Sequence, residues 1–498
     1  MICDLNYFLV EKSDLLLHHD KNTSSLYTIM SFEKLIRVKN LLFMIFIVFG
    51  SSVYAQQKHV HKDSTISSSK SLGDWLREGE TEMHIRSFYM NTQNRGLLLD
   101  YSTLAFGGGL GYSSPSYKGF HFGFSGFFVF QLHEQNIRIP DPSTGNVNRY
   151  EILLYDMNDF ENTRDLDRLE HLYLSYEHKG FELVFGRQRI NSPLLNEQDN
   201  RMRPNTFSGL TFQFESNDWQ LFAGLLSHVT MRGTVDWYSI ENSFGVYPFG
   251  RNPLGEPLAY KDNIESKGIA MAGIKKNHNF GSYQLWNYYS ENVFNTVFSQ
   301  SDVSIVFPGF NLDLGIQAFY QTPLNHGGNE NPAMAYMLKK ENTYGVGGKI
   351  GLHRGSRSFS LNYLGISDRG RFLFPREWGR ERFYASLPRE RFEGNGGVMA
   401  LTAWYNWKPE ISSWKGSFGA STVSNPDISN INLNKYGVPS YFHIMGELAH
   451  SFKDDLEGLE LRLLLVNKIA KNPNTVPDQF RINRVDMWNI NLIVDYKF

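Results

Sequence analysis

Hydrophobic and polar residues alternate along most of the chain after Thr81, and this period of two predicts β-strands. The strand predicted at the C-terminus shows the pattern best. Its apolar face consists of Trp488, Ile490, Leu492, Val494, Tyr496 and Phe498. Its other face is mostly polar and carries Asn489, Asn491, Asp495 and Lys497. Similar alternation in 120–130, 312–320 and 359–363 suits either a membrane-spanning barrel or a soluble β-sandwich.

The connections between the predicted strands favour the barrel. Eight short turns occur near 113–119, 179–180, 216–218, 277–280, 307–310, 354–357, 409–414 and 453–457. Nine mostly longer connections alternate with them, near 91–96, 134–170, 190–207, 230–266, 291–301, 323–340, 366–396, 423–437 and 469–484. A meander through a membrane has its short turns on one side and its loops on the other. We therefore predict an all-β transmembrane β-barrel of about 18 antiparallel strands, with short periplasmic turns and long extracellular loops, some folded into the lumen.

Composition agrees with this fold class. The 498 residues have a mean hydropathy of −0.37 and 15% aromatic residues, as expected if every strand has one face for lipid and one for water. The only helix-like apolar run, 41–50, is far shorter than the roughly 20 residues that a membrane helix needs. The net charge of −2 gives no indication of nucleic-acid binding.

The N-terminal region has the pattern of a signal peptide. Basic residues precede the apolar run 41–50, and the small residues that follow predict cleavage after Ala55. A signal peptide that begins at Met30 has a basic segment of ordinary length. We therefore predict that the natural chain starts at Met30 and that 1–29 is an over-extended start; a long natural leader is the alternative.

The predicted domains are therefore a targeting region at 1–55, a polar periplasmic linker at 56–80 and the barrel at 81–498. The single cysteine, Cys3, falls in the targeting region, which argues against disulfide or thiolate chemistry in the mature chain. No cofactor and no metal site are predicted.

Two of the long connections carry charge patterns that suit a pore constriction. The seventh, 368–397, has five acids and no lysine but seven arginines: Arg369, Arg371, Arg376, Arg380, Arg382, Arg389 and Arg391. Arginine recognises carboxylate and phosphate groups through a fixed fork of donors, so the cluster predicts an inward, anion-attracting loop; surface ion pairs are the alternative. The connection 134–170, with nine acids and four arginines, is predicted to be a solvated rim; an electrostatic wall opposite the arginines is the alternative.

The third connection resembles a known family. Gly186-Arg187-Gln188, Pro193-Leu194-Leu195, the run 199–204 (DNRMRP) and Phe207-Ser208-Gly209 are similar to a segment of OprD-type outer-membrane porins. The segment 374–381 (FPREWGRE) resembles the seventh-loop region of their relatives in the Bacteroidetes. The resemblance implies facilitated diffusion of small carboxylate-bearing nutrients through a pore narrowed by loops three and seven.

The candidate constriction residues come from these two connections. They are Asp199, Arg201, Arg203, Arg371, Arg376, Glu377, Arg380, Arg389, Arg391 and Arg187. Arg187 shares the parity of Phe185 and faces lipid unless Gly186 marks a bulge or the strand has already left the hydrocarbon at this point. The terminal Phe498 resembles the signal by which outer-membrane proteins are recognised for assembly.

The predicted function is an outer-membrane porin of a Gram-negative bacterium that passes small hydrophilic solutes, such as amino acids or peptides, without being an enzyme. The expected partners are membrane lipid, solutes and the assembly machinery, with the chain a monomer or a trimer. A chitoporin-like oligosaccharide channel is the first alternative. A barrel hydrolase is the second, but His228 and His353 lack an accompanying nucleophile motif.

Overall fold

Antiparallel strands form nearly all of the regular structure in the computed structural model, which describes residues 72–162 and 165–498. The strands are β1 Glu80–Asn94, β2 Tyr101–Ser113, β3 Phe120–Gln135, β4 Arg168–His178, β5 Phe181–Gln188, β6 Thr206–Ser216, β7 Trp219–Thr230, β8 Tyr238–Ser239, β9 Ile269–His278, β10 Gly281–Ser290, β11 Phe294–Phe307, β12 Phe310–Pro323, β13 Thr343–Arg354, β14 Arg357–Ile366, β15 Met399–Trp407, β16 Trp414–Ser424, β17 Tyr441–Ser451, β18 Leu459–Ala470 and β19 Met487–Lys497.

Eighteen of these strands close into a barrel. Each pairs with its neighbour in the chain, and β1 pairs with β19 to close the sheet, with Arg86 opposite Asp495. The short β8 lies outside this series because it pairs only with the end of β7, while β7 continues the barrel with β9. The prediction of about 18 antiparallel strands is therefore confirmed.

The two faces of the strands differ as the alternation predicts. On β19, Trp488 and Leu492 are exposed on the outside, whereas Asn489 and Asn491 are fully buried inside. On β3, Phe124, Phe128 and Phe130 are exposed on the outside. A closed sheet with an apolar exterior leaves no unpaired backbone groups in hydrocarbon, which makes this a transmembrane barrel.

Helices in the described residues are short. The α-helices are Leu72–Arg77, Ile240–Ser243 and Asp478–Arg481, and the 3₁₀ turns are Ile152–Leu154, Asp454–Leu456 and Pro473–Thr475. None of the helices in 72–162 and 165–498 is long and apolar enough to cross a membrane. The helix Leu72–Arg77 lies in the predicted linker, just before β1, and the predicted targeting region with Ala55 lies outside the described residues.

Nine connections lie on one side of the barrel, and we number them as loops. They are loop 1, 95–100; loop 2, 136–167; loop 3, 189–205; loop 4, 231–268; loop 5, 291–293; loop 6, 324–342; loop 7, 367–398; loop 8, 425–440; and loop 9, 471–486. Loop 5 is shorter than predicted, because 294–301 continue β11 and pair with both β10 and β12.

Several loops fold into the lumen and build a hydrophobic core there. Leu153 of loop 2, Leu194 of loop 3, Phe244 of loop 4 and Trp378 of loop 7 are all buried in one cluster with inward residues of the strands. Loop 2 therefore contributes to the interior, which differs from the predicted rim. An 18-strand barrel is too wide for its wall side chains to fill, and the loops supply the missing volume.

Candidate functional site

Loop 7 is attached to the barrel wall by aromatic packing. Phe372 and Phe383 lie against Phe319 of β12, with ring centroids 4.5 and 5.5 Å away. Trp378, which is 1% exposed, packs edge-on against Phe244 of loop 4 at 4.8 Å and donates a hydrogen bond to Ser243 Oγ. These apolar contacts place the arginines between them at fixed positions in the lumen.

Loop 3 is joined to loop 7 through side-chain amides. Asn196 Nδ2 donates to the carbonyl oxygen of Arg380 at 2.8 Å, and Gln198 Nε2 donates to that of Arg376 at 3.0 Å. Asn205 Nδ2 donates to the carbonyl of Glu377 at 3.0 Å. These bonds use the backbone of loop 7, and four of its arginine side chains line the space beside it.

That space is a cavity of about 90 Å³ in which basic side chains from many parts of the chain meet. Its cationic residues are Arg149, Arg201, Arg232, Arg376, Arg380, Arg389, Arg391, Lys468 and Arg484. They come from loops 2, 3, 4, 7 and 9 and from β18. We call this cavity and its nine cations the cationic constriction.

Seven of the nine cations have no carboxylate within 4.0 Å among the described residues; only Arg376 and Arg391 make ion pairs there. Arg376 Nε contacts Glu393 at 2.7 Å and its guanidinium lies 3.6 Å from the Tyr436 ring centre. Arg391 is 3.9 Å from Glu381. Arg389 instead donates to the amide oxygens of Asn489 and Asn491 on β19, which hold its side chain without neutralising it.

The pKa values of three loop arginines show the effect of burying so many cations together. Burial lowers the pKa of Arg232 and of Arg484 to about 9, and neighbouring guanidiniums contribute to the same shift. Burial also lowers the pKa of Arg149 to about 10, with Arg376 the next contributor. Arginine stays protonated at neutral pH even so, and an anion entering the cavity would relieve the repulsion.

One carboxylate lines the cationic constriction, and it is already engaged. Glu390 accepts hydrogen bonds from Tyr441 Oη at 3.0 Å and from the backbone N–H of Leu387 at 2.9 Å, and it lies 3.1 Å from His443 Nδ1. The cavity therefore has a strongly positive character.

Two larger cavities share lining residues with the cationic constriction. Toward the loops, a cavity of about 460 Å³ shares Arg149, Phe249 and Arg484 with it. A second cavity, of about 490 Å³ and lined by loops 3 and 7, shares Asn200 and Arg380. The cationic constriction therefore adjoins both of the larger cavities.

Five of the predicted site residues line the cationic constriction: Arg201, Arg376, Arg380, Arg389 and Arg391. Asp199 lies beside it, in the 490 Å³ cavity, and accepts hydrogen bonds from Arg86 of β1 at 2.6 and 3.3 Å. Arg86 also contacts Asp495 of β19 at 2.6 Å. The ion pair of Asp199 with Arg86 therefore joins loop 3 to the seam between β1 and β19, where the barrel closes.

Three predicted residues are instead buried between loops. Arg203 is 0% exposed and donates to the carbonyls of Leu166 and Tyr155 in loop 2. Arg371 makes two hydrogen bonds to Glu341 of loop 6, at 2.5 and 3.1 Å. These two residues and Glu377 are absent from the lining of the cationic constriction.

Glu377 connects loop 7 to loop 4. It accepts the backbone N–H of Tyr247 at 3.0 Å, and burial raises its pKa above the ordinary 4.5. A carboxylate that bonds a backbone amide in a buried place holds two loops together and is not available to a solute.

Arg187 lies on the outer face of the barrel. It pairs with Leu172, which is exposed to the outside, and its guanidinium is stacked 4.4 Å from the Trp237 ring of loop 4. Gly186 has a φ of 120°, but the residues on either side keep the predicted parity. Arg187 is therefore not part of the lumen cluster.

Four cations of the constriction are absent from the predicted set: Arg149, Arg232, Lys468 and Arg484. Only Lys468 carried a readable signal, since its parity on β18 is inward. The others stand in long connections, where no periodicity indicates which side chains turn toward the lumen.

No protein-family model matches the chain, and no curated protein matches it. Solved structures do. OpdK of Pseudomonas aeruginosa, crystallised with vanillate, superposes with a TM-score of 0.65 at 16% identity, covering 85% of this chain and 99% of that one. OccAB4 of Acinetobacter baumannii gives 0.66 at 14% identity, with 84% and 98% covered. OccK9 (OpdG) of Pseudomonas aeruginosa gives 0.65 at 14%, with 85% and 99% covered. The chain shares the fold of these barrels along almost their whole length.

Proposed function

We propose that this chain, with the fold of the OprD/Occ outer-membrane porins, is itself a porin of a Gram-negative outer membrane, through which small carboxylate-bearing solutes diffuse passively. The observation that carries the proposal is the cationic constriction, which shares lining residues with two larger cavities in the lumen. Fixed charges at a narrow point of a pore select ions of opposite sign.

The chemistry of the constriction favours carboxylates. Arg149, Arg232 and Arg380 have no acidic partner among the described residues, so their positive charges attract a planar anion. Arg232 and Arg380 each give one donor to a neutral oxygen, that of the Asn200 side chain and that of the Leu387 backbone. Tyr150 and Phe249 lie beside them and offer an apolar contact for the rest of the solute. The vanillate bound to OpdK is an aromatic carboxylate, which fits the same combination.

Assembly in the membrane is proposed to depend on the chain end. The backbone of Phe498 pairs with Met83 of β1 through two hydrogen bonds, of 2.8 and 3.0 Å, at the seam where the barrel closes. The ring of Phe498 is half exposed beside Tyr496. An aromatic end placed at the closing seam suits recognition by an assembly machinery.

The test is the ion selectivity of the purified protein in planar bilayers. Under a KCl gradient, the reversal potential should indicate chloride preferred over potassium. Replacing Arg149, Arg380 and Arg389 together with Gln should move it toward zero, because three charges without ion-pair partners are lost. Conductance itself should persist.

The matched control is Arg354→Gln with Arg357→Gln, at the exposed turn between β13 and β14 on the opposite side of the barrel. This variant should keep the wild-type reversal potential. A cation-selective pore that the triple substitution leaves unchanged would contradict the arginine constriction, and absence of any conductance would contradict the porin function.

A further inference from the structure

A group of polar side chains interrupts the apolar outer wall of the barrel at the loop ends of β5, β6 and β7. Strand register places Arg187 beside Ser208 and Ser208 beside His228, all on the outer face. Neighbouring strands lie about 4.8 Å apart, so these three residues span about 10 Å of the wall. Together with Trp237 of loop 4, whose ring contacts Arg187, we call them the outer polar patch.

The wall directly on the short-turn side of the outer polar patch is apolar. One tier lower, four residues lie side by side on β4, β5, β6 and β7, and all of them are exposed: Leu174, Phe185, Leu210 and Leu225. Exposed apolar residues on the outside of a transmembrane barrel contact acyl chains. Arg187 is the last outward residue of β5, so the outer polar patch lies where the acyl chains give way to the headgroups of the loop-side leaflet.

Arg187 is held in place without being neutralised. Its guanidinium lies 4.4 Å from the centre of the Trp237 ring, and the indole Nε1 donates to the carbonyl oxygen of Leu169 at 3.4 Å. Across 72–162 and 165–498, no carboxylate lies within 4.0 Å of this guanidinium, not even that of Asp236, which precedes Trp237. A guanidinium that contacts an aromatic ring still has its N–H donors for an anion.

The two neighbours of Arg187 in the outer polar patch add further polar atoms. His228 is exposed, and its Nδ1 lies 2.9 Å from Ser227 Oγ. The other ring nitrogen of His228 and the hydroxyl of Ser208 have no hydrogen-bond partner in the part of the chain that the structure describes. A guanidinium, a hydroxyl and an imidazole at one level of the wall therefore face the membrane with unused polar groups.

A lipid phosphate matches this surface. A phosphate monoester carries nearly two negative charges and three strong acceptor oxygens, which suit the N–H groups of an arginine and a neighbouring hydroxyl. An outward arginine without an anion is unfavourable at the edge of the hydrocarbon. The apolar tier below the outer polar patch offers a surface for the acyl chains of the same molecule, which a free solute lacks.

We propose that the outer polar patch binds a phosphate group of a phosphorylated glycolipid in the loop-side leaflet of the outer membrane. Arg187 is the main anion ligand, Trp237 orients it, and the acyl chains lie along the apolar tier. The proposal concerns the outside of the barrel and does not depend on which solutes pass through the lumen.

The experiment measures binding of lipid A, a glucosamine disaccharide with two phosphates and several acyl chains. The lipid is titrated into the purified protein in detergent micelles, and native mass spectrometry counts the lipid molecules bound to each barrel. We expect saturable binding of one molecule to the wild type. Arg187→Gln should raise the half-saturating lipid fraction about tenfold, the loss expected for one charge-assisted hydrogen bond.

The matched control is Lys276→Gln. Lys276 also lies on the outer wall with its ammonium next to an aromatic ring, 4.7 Å from the centre of Trp219, but at the short-turn end of the barrel. This variant should bind lipid A as the wild type does. Equal weakening by the two substitutions would overturn the proposal, because it would indicate a general attraction between anionic lipid and basic side chains.

Three further probes need no variant. Lipid A from which both phosphates have been removed should bind the wild type about tenfold more weakly, and equal binding would contradict phosphate recognition. Millimolar inorganic phosphate should not displace lipid A; displacement would show a site for free phosphate instead of a lipid. A wild-type dimer that forms in place of lipid binding would show that the outer polar patch is an interface between copies of the chain.

The pore provides a check on the fold of the variant. Arg187→Gln should keep the wild-type reversal potential, since its side chain lies outside the lumen. A changed reversal potential would contradict the position of Arg187 on the outer wall and, with it, the lipid site. Arg187→Lys keeps the charge but loses the fork of donors, and should weaken binding of lipid A about threefold. Wild-type binding by both Arg187 variants would overturn the proposal.

Discussion

At the scale of single residues, arginines of similar sequence context have different roles because their partners differ. Arg371 is 1% exposed and bound to one carboxylate, whereas Arg389, also in loop 7, faces two neutral amides in the cavity. Arg371 therefore stabilises the contact between loops 6 and 7. Arg389, which lines the cavity without an acid partner, contributes its charge to the lumen.

The buried pair of Arg371 and Glu341 should be sensitive to loss of one charge. Glu341→Gln leaves the guanidinium buried without compensation, and we expect the free energy of unfolding to fall by about 3–5 kcal/mol. Thermal unfolding in detergent measures it. The control is Glu161→Gln, which breaks the exposed pair with Arg138 and should cost less than about 1 kcal/mol. Equal effects of the two substitutions would refute the distinction.

Glu377 gives a pH-dependent prediction. Because burial raises its pKa, the folded state holds the proton more tightly than the unfolded chain does. Its contribution to stability is therefore complete below about pH 4.5 and is lost as the pH rises through the raised value. Glu377→Gln keeps an acceptor for the Tyr247 N–H and should remove this pH dependence from the unfolding temperature.

Glu377→Ala is the matched comparison, because it removes the acceptor together with the charge. The buried Tyr247 N–H then lacks a partner, and we expect a loss of about 1–3 kcal/mol at every pH. A Gln variant as unstable as the Ala variant at neutral pH would show that the negative charge itself holds the loops together.

At the scale of elements, the position of loop 7 depends on how closely it approaches loop 3. Gly379 marks this contact: a Cβ there would lie 2.0 Å from the carbonyl oxygen of Leu194. The glycine is required for close approach of two backbones, and its φ lies outside the left-handed region. The same contact brings Arg380 next to Asn196.

Gly379→Ala should therefore separate loops 3 and 7. We expect larger current fluctuations in single-channel recordings and an unfolding cost of about 1–3 kcal/mol, as for other overpacked sites. Gly348→Ala on β13 is the control, since no atom lies within 4 Å of the added methyl group. If Gly379→Ala showed current fluctuations no larger than those of the wild type, the contact between the two loops would not control the pore.

At the scale of the whole molecule, a chain of net charge −2 concentrates nine cations at one level of its lumen. The balanced overall charge therefore says little about the local electrostatic field inside the lumen. The distance over which these charges act is set by screening by mobile ions. The screening distance, the Debye length, is about 10 Å at 0.1 M salt and about 3 Å at 1 M.

Anion selectivity should accordingly weaken with salt. The chloride-to-potassium permeability ratio from reversal potentials should fall clearly between about 0.1 and 1 M KCl, because the fixed charges become screened. The triple Gln variant of Arg149, Arg380 and Arg389 should show a smaller change. A ratio that does not depend on salt would indicate selection by pore size alone.

Sequence alone determined the fold class, the 18 barrel strands and the face that each strand presents to lipid, because alternation and turn positions are local properties of the chain. It also indicated loops 3 and 7 as charged segments near the pore. Only the tertiary structure decided which arginines meet. Arg149, Arg232 and Arg484 are far apart in sequence, and their convergence follows from packing among loops 2, 4 and 9. The same packing pairs Arg203 and Arg371 with buried partners. These placements depend on contacts between distant segments, which no local pattern records.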